Sequence, residues 1–231
     1  MTQLRERFGR MRIGAKLTLA FGLVLGLTLA LGAGSLLSLA RVNAASGELA
    51  AKWLPSVGHA DAMRAAMLEH RELLDKHTKA PDASYMAEYE DKMAARAKAI
   101  EDEAAAYEKL LGTDEERALF DAYRKAWSEY LPTANRIVGL SRAGKQDDAR
   151  EIAEGAGKMS HDEAVAALDR LTALGFDGGR RTAQSADVVY RNARLLAAGL
   201  LAAAMLTGVV LAIVITRSLL GQLGGEPGAA A

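Results

Sequence analysis

The sequence contains no cysteine, which excludes disulfide stapling and thiol chemistry. Proline is scarce, with four in the chain, and aromatic residues make up 5%, so little interrupts a helix and few large rings are available to a core. There is no surplus of either charge, because 29 Lys and Arg balance 29 Asp and Glu. That balance argues against a dedicated nucleic-acid binder, which needs a basic excess. Phosphate-loop chemistry is also missing: "GFDGG" at 175–179 lacks the Gly-x-x-x-x-Gly-Lys pattern and a preceding strand, and reads as a helix irregularity. No convergent set of acids, bases or metal ligands stands out, so the reading is of a non-enzyme without cofactor or metal. His70 and His77 are seven apart, a spacing that cannot chelate one ion as i and i+4 can.

What is present is strongly segregated. Leu17 to Leu39 is 23 residues without a charge, and Leu195 to Ile215 is 21. At about 1.5 Å per residue each is long enough to cross a bilayer as a helix. The first is too long for a signal-peptide core and no convincing small-x-small cleavage site follows it, so it reads as an uncleaved anchor. Arg5, Arg7, Arg10, Arg12 and Lys16 precede it against the single acid Glu6, which places residues 1–16 in the cytoplasm by the positive-inside rule. Two spans (17–39 and 195–215) then put residues 40–194 outside and residues 216–231 back in the cytoplasm. Gly22 and Gly26 have the spacing of a close helix contact, and Tyr190 suits a headgroup-level anchor.

The outer segment is broken by "KAPDAS" at 79–84, "LGTDEE" at 111–116 and "RAGKQDD" at 142–148, and three breaks make four helices. At the middle break Gly112 suits a left-handed cap, and Thr113 with Glu116 fits a capping box. Met86, Tyr89, Met93, Ala97, Ile100, Ala104, Tyr107 and Leu111 step by three or four, as do Phe120, Tyr123, Trp127, Leu131, Ala134, Ile137 and Leu140. The fourth stripe, Ile152, Ala156, Met159, Ala164, Ala167, Leu171 and Leu174, is interrupted by Gly155, Gly157 and the later glycines, where bends or local disorder are expected. Pro55 predicts a kink near Trp53 in the first helix. The fold class is all-α: an up-down-up-down four-helix bundle extended into two transmembrane helices.

The opening "MRIGAKLTLAFGLVLGL", the "WLPSV" after the first span and the exit "ITRSLLGQLGGEP" together resemble the N-terminal half of a bacterial methyl-accepting chemotaxis protein. The resemblance covers essentially the whole chain. It implies an inner-membrane receptor with a periplasmic sensor bundle, and Ser218 to Pro227 similar to the start of a HAMP helix. The rest of HAMP and the methylated hairpin that couples to a kinase do not fit in the sequence, so it reads as a fragment or truncated product. Sensors ahead of histidine kinases and diguanylate cyclases enter HAMP in a similar way and stay open as alternatives, as does a membrane adaptor that binds a periplasmic protein.

The resemblance further implies a homodimer that holds a small molecule, such as an amino acid or carboxylate, by arginines on the first helix. Trp53, Val57, Ala60, Arg64, Met67, Arg71 and Leu74 form one stripe with two arginines a heptad apart, able to grip a carboxylate. The candidate ligand-binding residues are therefore Arg64, Arg71, Met67 and His70. The family's own ligand arginines do not map onto these positions. The competing stripe is Met63, Met67, His70, Leu74 and His77, which leaves Arg64 with Asp61 and Arg71 with Asp75 as surface ion pairs.

Overall fold

A computed structural model describes residues 13–223. The basic residues Arg5 to Arg12 and the stub from residue 224 onward lie outside the described residues. Among the described residues there are helices and connecting turns and no strand. They are α1 (Ile13–Glu48), a π-helical turn (Leu49–Trp53), α2 (Leu54–Thr78), α3 (Ala83–Glu108), α4 (Asp114–Arg142), the short α5 (Gln146–Ile152), a second π-helical turn (Ala153–Gly157) and α6 (Lys158–Leu223). The chain divides into two compact units.

The first unit, residues 46–183, is the bundle. Its core takes Ala60, Met63, Met67 and Leu74 from α2, Met93, Ile100, Ala104 and Tyr107 from α3, Phe120, Tyr123, Trp127, Tyr130, Ala134 and Ile137 from α4, and Ala164, Ala167, Leu168 and Leu171 from α6. The stripes expected for α3 and α4 are the buried faces of those helices. In α6 the expected stripe is out of phase at its start: Met159 is 63% exposed, whereas His161 is 2% exposed. The cause is the π turn, which contains Gly155 at φ −90°, ψ −106° and shifts the helical phase before α6 begins.

The three breaks fall where the sequence places them, with different chemistry at two. Asp82 caps α3, accepting from the amides of Ser84 (2.8 Å) and Tyr85 (3.2 Å). At α4 the capping box is complete: Thr113 Oγ1 accepts from Glu116 N (3.1 Å), and Glu116 Oε2 accepts from Thr113 N (2.9 Å). The same oxygen takes Gly112 N (2.7 Å) and lies 3.3 Å from Lys52 Nζ. Gly112 is not a left-handed cap, since the positive-φ residue among those described is Gly144, at φ 73° after α4. A Cβ at 112 would stand 2.6 Å from Lys52 Nζ, the movable end of that side chain, so glycine here leaves room for the Lys52–Glu116 contact.

Pro55 sits in the first turn of α2, and the helix opens into its π turn just before it. The "GFDGG" segment is neither bent nor disordered; it is continuous α-helix. Its glycines serve close approach: a Cβ on Gly178 would overlap the Trp53 ring, and one on Gly175 would stand 2.8 Å from Val57 Cγ2. Trp53 is fixed there because its Nε1 donates to Glu48 Oε1 (2.9 Å) and Thr182 Oγ1 (3.1 Å).

The second unit comprises the described residues 13–45 and 184–223. Both helices that contribute to it are long and apolar enough to cross a membrane. Leu29, Leu36, Leu195 and Met205 are each at least 70% exposed, the surface expected of a helix whose solvent is lipid. Three hydroxyls of α1 are satisfied within the helix, Thr18 on Gly14 O (3.0 Å), Thr28 on Val24 O (2.9 Å) and Ser38 on Gly34 O (2.9 Å). Gly22 and Gly26 have nothing within 4 Å of a would-be Cβ.

Two outcomes are expected from urea unfolding of the full chain in detergent, followed by circular dichroism. Glu116→Ala strands Lys52 and two amides and loses about 2–3 kcal/mol. Gly58→Ala, in open space on α2, gains up to about 1 kcal/mol, whereas Gly178→Ala, at a matched gain in helix propensity, is net destabilising by about 1–2 kcal/mol because it displaces Trp53.

Candidate functional site

The four candidate residues of α2 divide between two environments. Met67 is 0% exposed and His70 4%, both within the bundle core. Met63, Leu74 and His77 are buried on the same face, so the competing stripe is the one that packs inside the bundle. Arg64 and Arg71 lie on the neighbouring face, partly exposed. Arg64 Nε is 2.8 Å from Asp169 Oδ1 of α6, with Asp61 on its own helix at 4.0 Å. Arg71 does not pair with Asp75, which holds Lys79 (2.6 Å); its Nη2 donates to Ala153 O (3.4 Å) at the second π turn. Arg64 thus reaches α6 and Arg71 the π turn that precedes it, across the seam between α2 and these two elements.

Beneath this seam lies a polar and aromatic cluster. His70 Nδ1 is 3.0 Å from the Tyr130 hydroxyl, and the His70 ring stands edge-on to Trp127 (5.7 Å) and Tyr130 (5.5 Å). His161 of α6 also meets Tyr130 in a T-shaped contact (5.5 Å), and its Nε2 is 3.3 Å from Met67 O. Trp127 stacks on Tyr130 (5.3 Å) and donates from Nε1 to Glu101 Oε1 (3.1 Å). Burial, and then the neighbouring His161, lower the His70 pKa to about 4, so the ring is neutral at pH 7. Burial also pushes the Tyr130 hydroxyl above its ordinary range. His161 was not among the residues singled out in the sequence. The reason is that its stripe was counted from Ile152 through Met159, across the phase shift of the π turn.

A second polar cluster closes the other end of α2. His77 is fully buried, with Nδ1 3.1 Å from Ser141 Oγ and Nε2 2.8 Å from Glu90 Oε1. Arg142 grips Glu90 with two bonds of 2.6 Å. Burial pushes the Glu90 pKa up, and the bonds from Arg142 and His77 outweigh it, so the carboxyl stays below its ordinary range. His70 and His77 are therefore a heptad apart in sequence yet in separate networks.

The family described as a four helix bundle sensory module for signal transduction matches residues 10–190. The chain belongs to that family. It is also 22% identical, over 211 residues, to YvaQ of Bacillus subtilis (strain 168), a protein named as a sensory transducer. The match covers 91% of this chain and 37% of that relative, so the chain spans little more than a third of its length. No solved structure matches.

The two environments predict different costs on substitution. Arg64→Ala and Arg71→Ala should stay within about 1 kcal/mol of the parent, as half-exposed pairs do. His70→Ala should lose about 2–4 kcal/mol by opening the core beside Trp127 and Tyr130. Urea midpoints of the three variants measure the difference.

Proposed function

We propose that this chain is the sensor region of a two-pass bacterial inner-membrane chemoreceptor. In this reading the bundle detects an extracytoplasmic small molecule, and a displacement of α6 carries the event across the membrane. The observation that carries it is that Arg64 and Arg71, the two cations of α2 able to grip a carboxylate, are held by groups near or on the helix that leads to the second apolar stretch. A carboxylate that takes Arg64 competes with Asp169, and one that takes Arg71 competes with the carbonyl of Ala153. Binding therefore has a differential interaction with two packings of the bundle, which is what a ligand needs in order to bias them.

The chain's membership in a sensory family and its two membrane-length apolar helices support the placement, with the bundle periplasmic and both ends cytoplasmic. Following the resemblance to chemotaxis receptors, the working unit is a homodimer, residues 216–231 lead into a HAMP relay, and amino acids and small carboxylates are the ligand classes to test. The sensor of a histidine kinase or diguanylate cyclase would share this mechanism as far as the inner membrane face.

The test is a thermal-shift screen of the full chain in lipid nanodiscs against amino acids, small carboxylates and sugars. A carboxylate that raises the midpoint, with the shift lost in both Arg64→Ala and Arg71→Ala, is the expected result. A ligand whose shift survives both substitutions removes the α2 site, and a silent screen on well-folded protein transfers the signal to a protein partner.

A further inference from the structure

We propose that the bundle also responds to protons, with His161 as the acceptor and Arg71 as the group its charge displaces. The hydrogen-bond inventory around His161 is the starting point. Met67 O can only accept, so His161 Nε2 must donate to it, at 3.3 Å. A neutral ring then keeps its lone pair on Nδ1. That nitrogen is 3.3 Å from Asp162 Oδ1, a carboxylate oxygen that also only accepts. Asp162 is held ionised, its pKa lowered by the bond from Lys158 foremost, so the neutral histidine presents a lone pair to an anion. One proton on Nδ1 converts this opposed contact into a charge-assisted hydrogen bond.

What opposes the proton is the rest of the surroundings. His161 is 2% exposed, and burial is the main cause that lowers its pKa, with Arg71 acting in the same direction against Asp162. Each element packed on the ring contributes a definable group. From α2 come the Arg71 guanidinium and His70, and from α4 the neutral Tyr130 hydroxyl. From α6 comes Asp162, itself paired with Lys158, while the carbonyl of Ala153 in the π turn is bonded to Arg71. Among the described residues, no ionisable group of α3 acts on either histidine.

The placement of Arg71 turns a local titration into a conformational one. The guanidinium that a charged His161 repels is the one bonded to Ala153 O, at the start of the turn where Gly155 leaves helical geometry. Acidification therefore strengthens His161 to Asp162 and weakens α2 to the π turn. In the folded state both histidine pKa values lie below the unfolded value of 6.5, so the unfolded chain binds more protons as the pH falls. The histidines carry no stability penalty above pH 6.5, and a penalty grows as the pH falls below it.

The experiment uses the full chain in nanodiscs, between pH 7.5 and 4.5, with two readouts: the imidazole NMR titration of His161 and deuterium exchange of the amides of residues 153–158, corrected for intrinsic rates. The expected results are a His161 midpoint below 6.5 and at least tenfold faster exchange of the turn across it. His161→Gln keeps a donor for Met67 O and removes the titration, and should abolish the acceleration. Asp162→Asn, at an exposed position, keeps an acceptor oxygen but removes the negative charge that favours the new N–H, and should move the midpoint to lower pH. A midpoint at the ordinary value, exchange that does not follow it, the same acceleration in His161→Gln, or an unmoved midpoint in Asp162→Asn would each overturn the proposal.

Discussion

The bundle is organised around the ring of Tyr130, which has no exposed surface. Its ring stacks on Trp127, its hydroxyl meets His70 from α2, and His161 from α6 meets it in a T-shaped contact. A tyrosine at this point does what a leucine cannot. It fills the centre of the core with apolar area while giving His70 a hydrogen-bond partner, so that this histidine is buried without stranding its Nδ1. The first and last helices of the bundle are thereby tied to the same residue of the third. At this level α2, α4 and α6 meet through aromatic and titratable side chains.

The helix count, the turns and the buried faces of α3 and α4 were legible because each rests on local information. Tyr107 and Ile137 are placed by a period of three or four, and the Thr113–Glu116 box by a motif of four residues. The features that escaped depend on what a helix meets across the core. Gly112 and Gly178 look like conformational glycines in one dimension, yet each is shaped by a side chain more than 50 positions away, Lys52 and Trp53 respectively. His161 was lost because a π turn changes the helical period without changing the composition. Of the candidate ligand residues, Met67 and His70 share the α2 helix with Arg64 and Arg71 but not their exposure, a distinction of about 100° around the axis that two overlapping stripes could not resolve.

The two π turns have different origins. The first follows from Pro55, which cannot accept the regular hydrogen-bond pattern of the preceding turn. The second has no proline; it depends on Gly155 for backbone freedom and on Gly157 for space beside Ile137 Cδ1, where a Cβ would stand at 3.2 Å. An irregularity imposed by proline is locked by covalent structure. One permitted by glycine is held by its neighbours and is free to change when they do, which makes the second turn the softer of the two.

The glycines at 175, 178 and 179, with Thr182, lie along one line of α6 at i, i+3, i+4 and i+7. Gly178 and Gly179 leave the space that the Trp53 ring occupies, and Gly175 the space beside Val57 Cγ2, while the indole nitrogen is bonded to Thr182. One face of α6 is thus cut to the shape of two side chains from the start of the bundle, and a larger residue at 175 or 178 would push the two segments apart.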